Sequence, residues 1–324
     1  MPKEIVGIGA ANVDIMGESA ARLVMEDSNP GTLLVSVGGV TRNVCENTAR
    51  LGLPTRLITT VGEDMYGEKI RSWCRECGIA TDSFITLPGK NSSSYVSIHR
   101  SDGEMAVALS DMRILQELTP ARLEPMRDKL SAAAAIVVDG CLPQETLRYI
   151  IRTFGGSVPI FADPVSTAYA RRMRPVLRGI DTLKPNRLEA EILSGRSIRC
   201  EADYFRAAEG ILAQGVRRVI ISAGSRGCYY ADNMGQRLWS RTRPLQQVEN
   251  ATGAGDSFMA GLLYSAAQRY WLGDTMDFAM GAALAALQAR TTINPAISPE
   301  LIWQLVREQK RPRTPVIPTG LTGK

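Results

Sequence analysis

Short, mainly apolar runs recur along the chain at Ile5–Ala11, Leu57–Val61, Ala135–Val138, Val158–Ala162 and Val219–Ser222, and patterns of helical period lie between them. Runs this short, apolar at successive positions, suit strands buried on both faces, and such strands separated by helices wind into a parallel sheet covered on both sides. Helices are predicted near 40–51, 65–77, 119–130, 143–154, 186–194 and 201–214, and again near 254–268, 274–290 and 298–309. The fold class is therefore α/β, a doubly wound and mainly parallel sheet flanked by helices. With 324 residues, 44% of them hydrophobic, the chain can bury the core of one large domain, taken as residues 1–309.

Two segments break the alternation. Thr32–Val37 and the polar, β-rich stretch Asn91–Arg100, followed by the turn Ser101–Glu104 and by Met105–Leu109, read as a hairpin with a partner strand. These lid segments, near 31–37 and 91–110, form a small separate sheet that covers the active site or pairs with another lid in a homodimer. After Gln309 the segment 310–324 carries Pro312, Pro315 and Pro318 with little periodicity, and reads as disordered or draped on the surface.

Composition narrows the chemistry. The formal net charge is +5 and the basic excess sits in Arg171–Arg174 and Lys310–Arg313 rather than on one stripe, which favours a small anionic substrate over nucleic acid. Cys45, Cys74, Cys77, Cys141, Cys200 and Cys228 are scattered as reduced, mostly buried thiols would be, and Cys74-Arg75-Glu76-Cys77 has no second pair to complete a zinc site. His99 is the single histidine, so histidine triads and histidine metal sites are close to excluded. No apolar run reaches the length of a signal or membrane span, and the chain reads as cytoplasmic.

The chemistry concentrates at Asn250-Ala251-Thr252-Gly253-Ala254-Gly255-Asp256, which runs directly into a helical pattern. Gly253 and Gly255 leave backbone N–H groups free to converge on an oxyanion, and a helix N-terminus adds partial positive charge. An ionised Asp256 would repel a phosphate that was merely bound, but in phosphoryl transfer a base at that point takes the proton of the attacking hydroxyl. Taken alone, the stretch also reads as a Gly-rich turn with an acid in the first helical turn. Other strand ends are polar as well: Asn12 and Asp14, Asp139, Asp163, Lys184 and Asn186, and Ser222. Ligands of open α/β sheets bind at those carboxyl ends. Gly38-Gly39 before a helix carrying Asn43 lets backbone donors approach a hydroxylated ligand, which suits a sugar.

In this order the motifs resemble the ribokinase-like, or pfkB-type, kinases of carbohydrates and nucleosides, over residues from Ile5 to about Gln309. They are Asn12 with Asp14, Gly38-Gly39 with Asn43, Lys184-Pro185-Asn186-Arg187-Leu188-Glu189, and Thr252-Gly253-Ala254-Gly255-Asp256. The resemblance implies ATP and Mg²⁺ as cofactors and Asp256 as general base, with the backbone of Gly253, Ala254 and Gly255 as anion hole. It implies Asn12, Asp14, Gly38, Gly39 and Asn43 as sugar contacts, with Asp139 as a further one. Lys184, Asn186, Glu189, Ser222, Gly224, Gly227 and Thr252 are implied around the nucleotide, and Glu189 around Mg²⁺ through water. Arg42 has no implied role. Many members carry an acid where this chain has Asn250, so the resemblance leaves K⁺ activation undecided.

Within the family, strings such as Asp27-Ser28-Asn29-Pro30-Gly31, Asn91–Tyr95 and Asp163-Pro164-Val165-Ser166 resemble the subgroup that phosphorylates pseudouridine at its 5′-hydroxyl. Ser28, Asn29 and the lid serines are then candidates for the base. Another nucleoside, a free sugar such as ribose or fructose, and a non-catalytic sensor on the same fold remain as alternatives.

Overall fold

The computed structural model describes residues 3–241 and 248–309, and the backbone of Thr314–Pro315. The first third runs β1 (Ile5–Ile8), β2 (Asn12–Ser19), β3 (Gly31–Gly38), α1 (Val40–Arg50), β4 (Thr55–Ile58), β5 (Thr60–Gly62), α2 (Met65–Glu76), β6 (Ile79–Ala80), β7 (Ile85–Leu87), β8 (Ser94–His99) and β9 (Met105–Asp111). The middle adds α3 (Pro120–Leu123), α4 (Arg127–Ser131), β10 (Ala135–Asp139), α5 (Gln144–Phe154), β11 (Ile160–Asp163), α6 (Thr167–Met173), β12 (Thr182–Leu183), α7 (Arg187–Ser194) and α8 (Glu201–Leu212). Then follow β13 (Arg218–Ser222), β14 (Cys228–Asp232), β15 (Arg237–Ser240), α9 (Ala254–Ala267), α10 (Leu272–Leu287), α11 (Pro299–Gln309) and β16 (Thr314–Pro315).

The expected sheet is present, in the order β16-β15-β14-β13-β12-β11-β10-β1-β4-β6. It is parallel from β13 to β6, and β14, β15 and β16 extend it antiparallel. Alternation along β10 shows why its run is apolar throughout. Ile136 and Val138 enter the core beneath α5 to α8, while Ala135 and Val137 enter the core beneath α1, α9, α10 and α11.

Several expectations change. The helix expected over 119–130 is broken into α3 and α4 at Pro125, which has no N–H to continue the ladder. The short α6, capped by the Ser166 side chain accepting from the Tyr169 N–H, was not foreseen. The run Leu57–Val61 divides, with β4 in the main sheet and β5 paired with β7 in a two-stranded ribbon. Thr314–Pro315 pairs with β15, and the rest of the 310–324 segment lies outside the described residues.

The lid has four strands in the order β3-β2-β8-β9, and β2 is the strand the sequence pattern concealed. Asn12 and Asp14 thus follow β1, as expected, and also belong to a strand themselves, paired with β3 at Asn12↔Gly38 and Asp14↔Ser36. Strand alternation sorts the lid into two faces. One carries Asn12, Asp14, Ser36 and Gly38 at the lid's root with Met16 and Leu34 beyond them; the other carries Ile15, Leu33, Val35, Val96, Ile98, Val107 and Leu109. Among the described residues no helix is long and apolar enough to cross a membrane.

Candidate active site

Parallel strands present their carboxyl ends on one edge, and there Asp139, Asp163, Lys184 and Ser222 end or follow β10, β11, β12 and β13. The lid root and the first turns of α1 and α9 close over that edge. Gly253 caps α9 with φ of 81°, a left-handed conformation that costs a residue with Cβ dearly, and a Cβ there would stand 2.0 Å from the Thr292 carbonyl oxygen. No side chain caps this terminus among the described residues. The first-turn N–H groups of Ala254, Gly255 and Asp256 have no acceptor within the helix and remain donors.

Asp256 sits in that first turn, buried. Asn43 Nδ2 donates to Asp256 Oδ2 at 2.7 Å. Asn43 comes from α1, which is started by Gly39 at φ 103° where a Cβ would meet the Ala10 carbonyl oxygen at 2.5 Å. Ser257 Oγ and Asn47 Oδ1, 3.2 Å apart, tie the two helices one turn on. Burial pushes the Asp256 carboxyl up to about 7, and the charge of Asp163 adds to this against the Asn43 hydrogen bond, Lys184 and Arg42.

Lys184 Nζ pairs with Asp163 Oδ2 at 2.9 Å, both buried, and lies 3.3 Å from where a Cβ on Gly255 would be. The ammonium thus stands beside the uncapped helix terminus. Burial works against its charge, but Asp163, together with Glu189 and Asp256, outweighs burial and its pKa is raised. Asp163 is the residue that the motif reading underweighted: a lone strand-end aspartate reads as a turn, and only its pairing with Lys184 shows otherwise.

Asn186 and Glu189 form a capping box on α7. Asn186 Oδ1 accepts from the Glu189 N–H at 3.0 Å, and Glu189 accepts from the Asn186 N–H and Nδ2 at 2.9 and 2.7 Å. Burial, with the charge of Asp163, pushes Glu189 up to about 7. Asn186 also bridges to Ser222, which brings the α7 start beside the turn Gly224–Arg226 and Gly227. Thr252 donates its N–H to Asn250 Oδ1 at 2.8 Å while Asn250 Nδ2 reaches the Arg290 carbonyl, so Asn250 braces the loop ahead of Gly253.

On the lid side, Asn12 donates to Asp14, whose carboxyl lies against Gly38. Burial raises the Asp14 pKa, against the Asn12 hydrogen bond and Arg42.

Two expected substrate contacts, Asp139 and Asn29, are engaged elsewhere in the structure. Asp139 is fully buried and its carboxylate is taken by the N–H groups of Ala10 and Cys141 and by the Thr41 N–H and hydroxyl, so it braces β1 and α1 rather than facing a ligand. Asn29 uses its amide on Val24 and Asp27 within its own loop, and Ser28 is exposed in that loop. Of the lid serines, Ser92 is bound to Asp64 and Gly62. A cavity of about 1040 Å³ lies at the opposite, amino end of the strands, lined by Ile5, Ala135, Phe161 and Arg218. It holds none of these site residues.

Truncating Asn43 to Ala removes the partner of a buried carboxylate and the donor that the resemblance assigns to ligand hydroxyls. Substrate affinity is expected to weaken by about 1–3 kcal/mol, read by calorimetry of the acceptor alone.

Comparison with known proteins fits this arrangement. The pattern of the pfkB family carbohydrate kinases matches residues 2–299. The chain is 38% identical to the pseudouridine kinase of Escherichia coli strain K12 over 93% of its length and 96% of that protein. It is 33% identical to YeiI, an uncharacterized sugar kinase of the same organism, over 93% of this chain and 83% of that one. Among solved structures, a carbohydrate kinase from Agrobacterium tumefaciens superposes with a TM-score of 0.84 at 25% identity, over 94% of this chain and 97% of that one. With the carboxylate, the uncapped helix and the lid already in place, these matches leave one assignment: the chain belongs to the pfkB family and is an ATP-dependent kinase of a carbohydrate or nucleoside.

Proposed function

We propose that the chain transfers the γ-phosphoryl group of ATP to the 5′-hydroxyl of a nucleoside, with pseudouridine as the preferred acceptor. The observation that carries this reading is the Asn43–Asp256 contact at the uncapped start of α9, where a base and a set of oxyanion donors share one helical turn. The near full-length similarity to a pseudouridine kinase supports the choice of acceptor.

In this reading the acceptor lies under the polar lid face, held by Asn12, Asp14, Asn43 and the backbone at Gly38 and Gly39. Asp256 accepts the hydroxyl proton as the oxygen attacks, and the N–H groups of Ala254 and Gly255 with the Lys184 ammonium hold the charge of the phosphoryl group in transfer. Ser222, Gly224 and Gly227 line the nucleotide. The residues fit a magnesium ion only as an outer shell, because no group of three or more His, Cys, Asp or Glu side chains that could hold a metal occurs among the described residues. Mg²⁺ bound to ATP would neutralise phosphate charge, and Asn186 and Glu189 would reach it through water. Asn250 is neutral and engaged in its loop, so K⁺ is expected to add little.

An ATP-consumption screen over pseudouridine, uridine, inosine, guanosine, ribose and fructose, each with and without K⁺, tests the assignment. Pseudouridine is expected to give the highest kcat/KM; turnover of free sugars alone would replace the nucleoside reading. A base must be ionised to act, and Asp256 is raised to about 7. The kcat/KM profile is therefore expected to fall as pH drops below about 7 and to level off above it.

The lid supports a second copy of the chain as partner. Its outer face exposes Leu33 (75%), Val107 (54%) and Leu109 (74%), more apolar area than a free sheet edge carries comfortably. Light scattering is expected to show a dimer that Leu109→Asp converts to monomer; a monomeric parent chain would remove this part of the reading.

A further inference from the structure

We propose that Arg42 is a positioning residue for phosphoryl transfer: it turns the Asn43 side chain so that the amide NH₂, not the carbonyl oxygen, faces Asp256. This rests on Asp256 being the base. An asparagine amide has two orientations, related by a flip, with opposite hydrogen-bonding character. Arg42 contacts Asn43 Oδ1 through one guanidinium nitrogen. A guanidinium has donors and no acceptor, so only the carbonyl oxygen of Asn43 can face it, and Nδ2 is left to donate to Asp256 Oδ2 at 2.7 Å. The flipped amide would set oxygen against carboxylate and NH₂ against guanidinium.

The guanidinium cannot swing away. It is 1% exposed, and it donates to the Gly38 carbonyl from Nε at 3.2 Å, to the Val37 carbonyl, and to Glu46 one turn along α1. Glu46 is held in turn by Trp73 Nε1 from α2 and by Arg50 Nε, each at 2.9 Å. A hydrogen-bonded chain thus runs from the exposed Trp73 through the buried Glu46, Arg42 and Asn43 to Asp256. The charged groups facing Asp256 are Asp163 from the end of β11, Lys184 from the end of β12 and Arg42 from α1. Asp163 disfavours the ionised base, while Lys184 and Arg42 favour it, so Arg42 acts both by its own charge and through the amide it orients.

The test uses the full chain with Arg42→Gln, Arg42→Met and Arg42→Lys, assayed with ATP and pseudouridine or the best acceptor of the screen. Gln offers an acceptor as well as a donor and Met offers neither, so both release the flip. Each is expected to move the acid limb of kcat/KM up by roughly one pH unit, with loss about tenfold greater at pH 6.5 than at pH 9. Lys, a donor without an acceptor, is expected to hold the limb near its parental position. A ¹³C NMR titration of the Asp256 carboxyl, which needs no substrate, should move by the same amount. Equal loss at every pH in all three variants, with the carboxyl titration unmoved, would show a purely structural role and overturn the proposal. Should Arg42→Met fail to fold, Arg42→Gln and Arg42→Lys carry the comparison, since both keep polar atoms near the Val37 and Gly38 carbonyls. A silent Asp256→Asn would instead refute the base assignment itself; an inactive Asp256→Asn with an unmoved Arg42→Gln limb refutes only this inference.

Discussion

Asp256→Asn is expected to lower turnover by on the order of 10² to 10⁴ while ATP binding changes little. The substitution keeps shape and burial, and it keeps an oxygen that can accept from Asn43 Nδ2. What it removes is the group that takes the proton in the proposed mechanism. In the proposed mechanism ATP meets the backbone donors of the same helical turn rather than the carboxylate, and removal of a negative charge beside them does not weaken an anion's hold. Rapid-quench turnover with ATP titrated separately by calorimetry reads the two effects. Loss of ATP affinity in proportion to loss of rate would mean that the helix terminus itself had been disturbed.

Lys184→Met is expected to be damaging in two separable ways. The ammonium pairs with Asp163 at 2.9 Å, both side chains being under a tenth exposed. Removing one partner leaves a buried carboxylate unpaired, at a cost of about 3–5 kcal/mol of stability. The same change removes the positive charge beside the start of α9, and kcat is expected to fall by roughly 10² or more. Adding Asp163→Asn should restore much of the stability, because the orphaned charge goes with it, and should leave kcat low. Denaturant unfolding and single-turnover rates follow the two quantities independently. Recovery of both in the double variant would reduce Lys184 to a structural partner of Asp163.

Much of this architecture is legible because it is local. The runs around Ile5, Ala135, Ile160 and Val219 are apolar at every position, as a strand covered on both faces requires, and the helices between them begin and end close to their predicted limits. Asn186 three residues ahead of Glu189 carries the signature of a capping box, which the structure contains. The Gly-rich approach to Asp256 identifies a helix terminus open to an anion. The less legible elements lack such a pattern. Strand β2 mixes Asn12, Asp14 and Glu18 with Val13, Ile15 and Met16, and its alternation was masked by its closeness to β1. The helix over 119–130 kept its apolar period while Pro125 interrupted it.

The site divides along the same line. Residue types and spacing along the chain determined an α/β sheet with a lid, a helix start open to an oxyanion, and a carboxylate on that helix start, which the proposed mechanism uses as its base. Tertiary structure decided which strand-end groups work together, because Asn43 and Asp256 are 213 positions apart and meet only where α1 and α9 cross. It turned Asp139 inward onto Thr41 and Ala10, engaged Asn29 within its own loop, and paired Asp163 with Lys184. It also gave Arg42 a place that no motif assigns, because a guanidinium's effect depends on which oxygen it faces, and that is settled only when lid, helix and base are packed against one another.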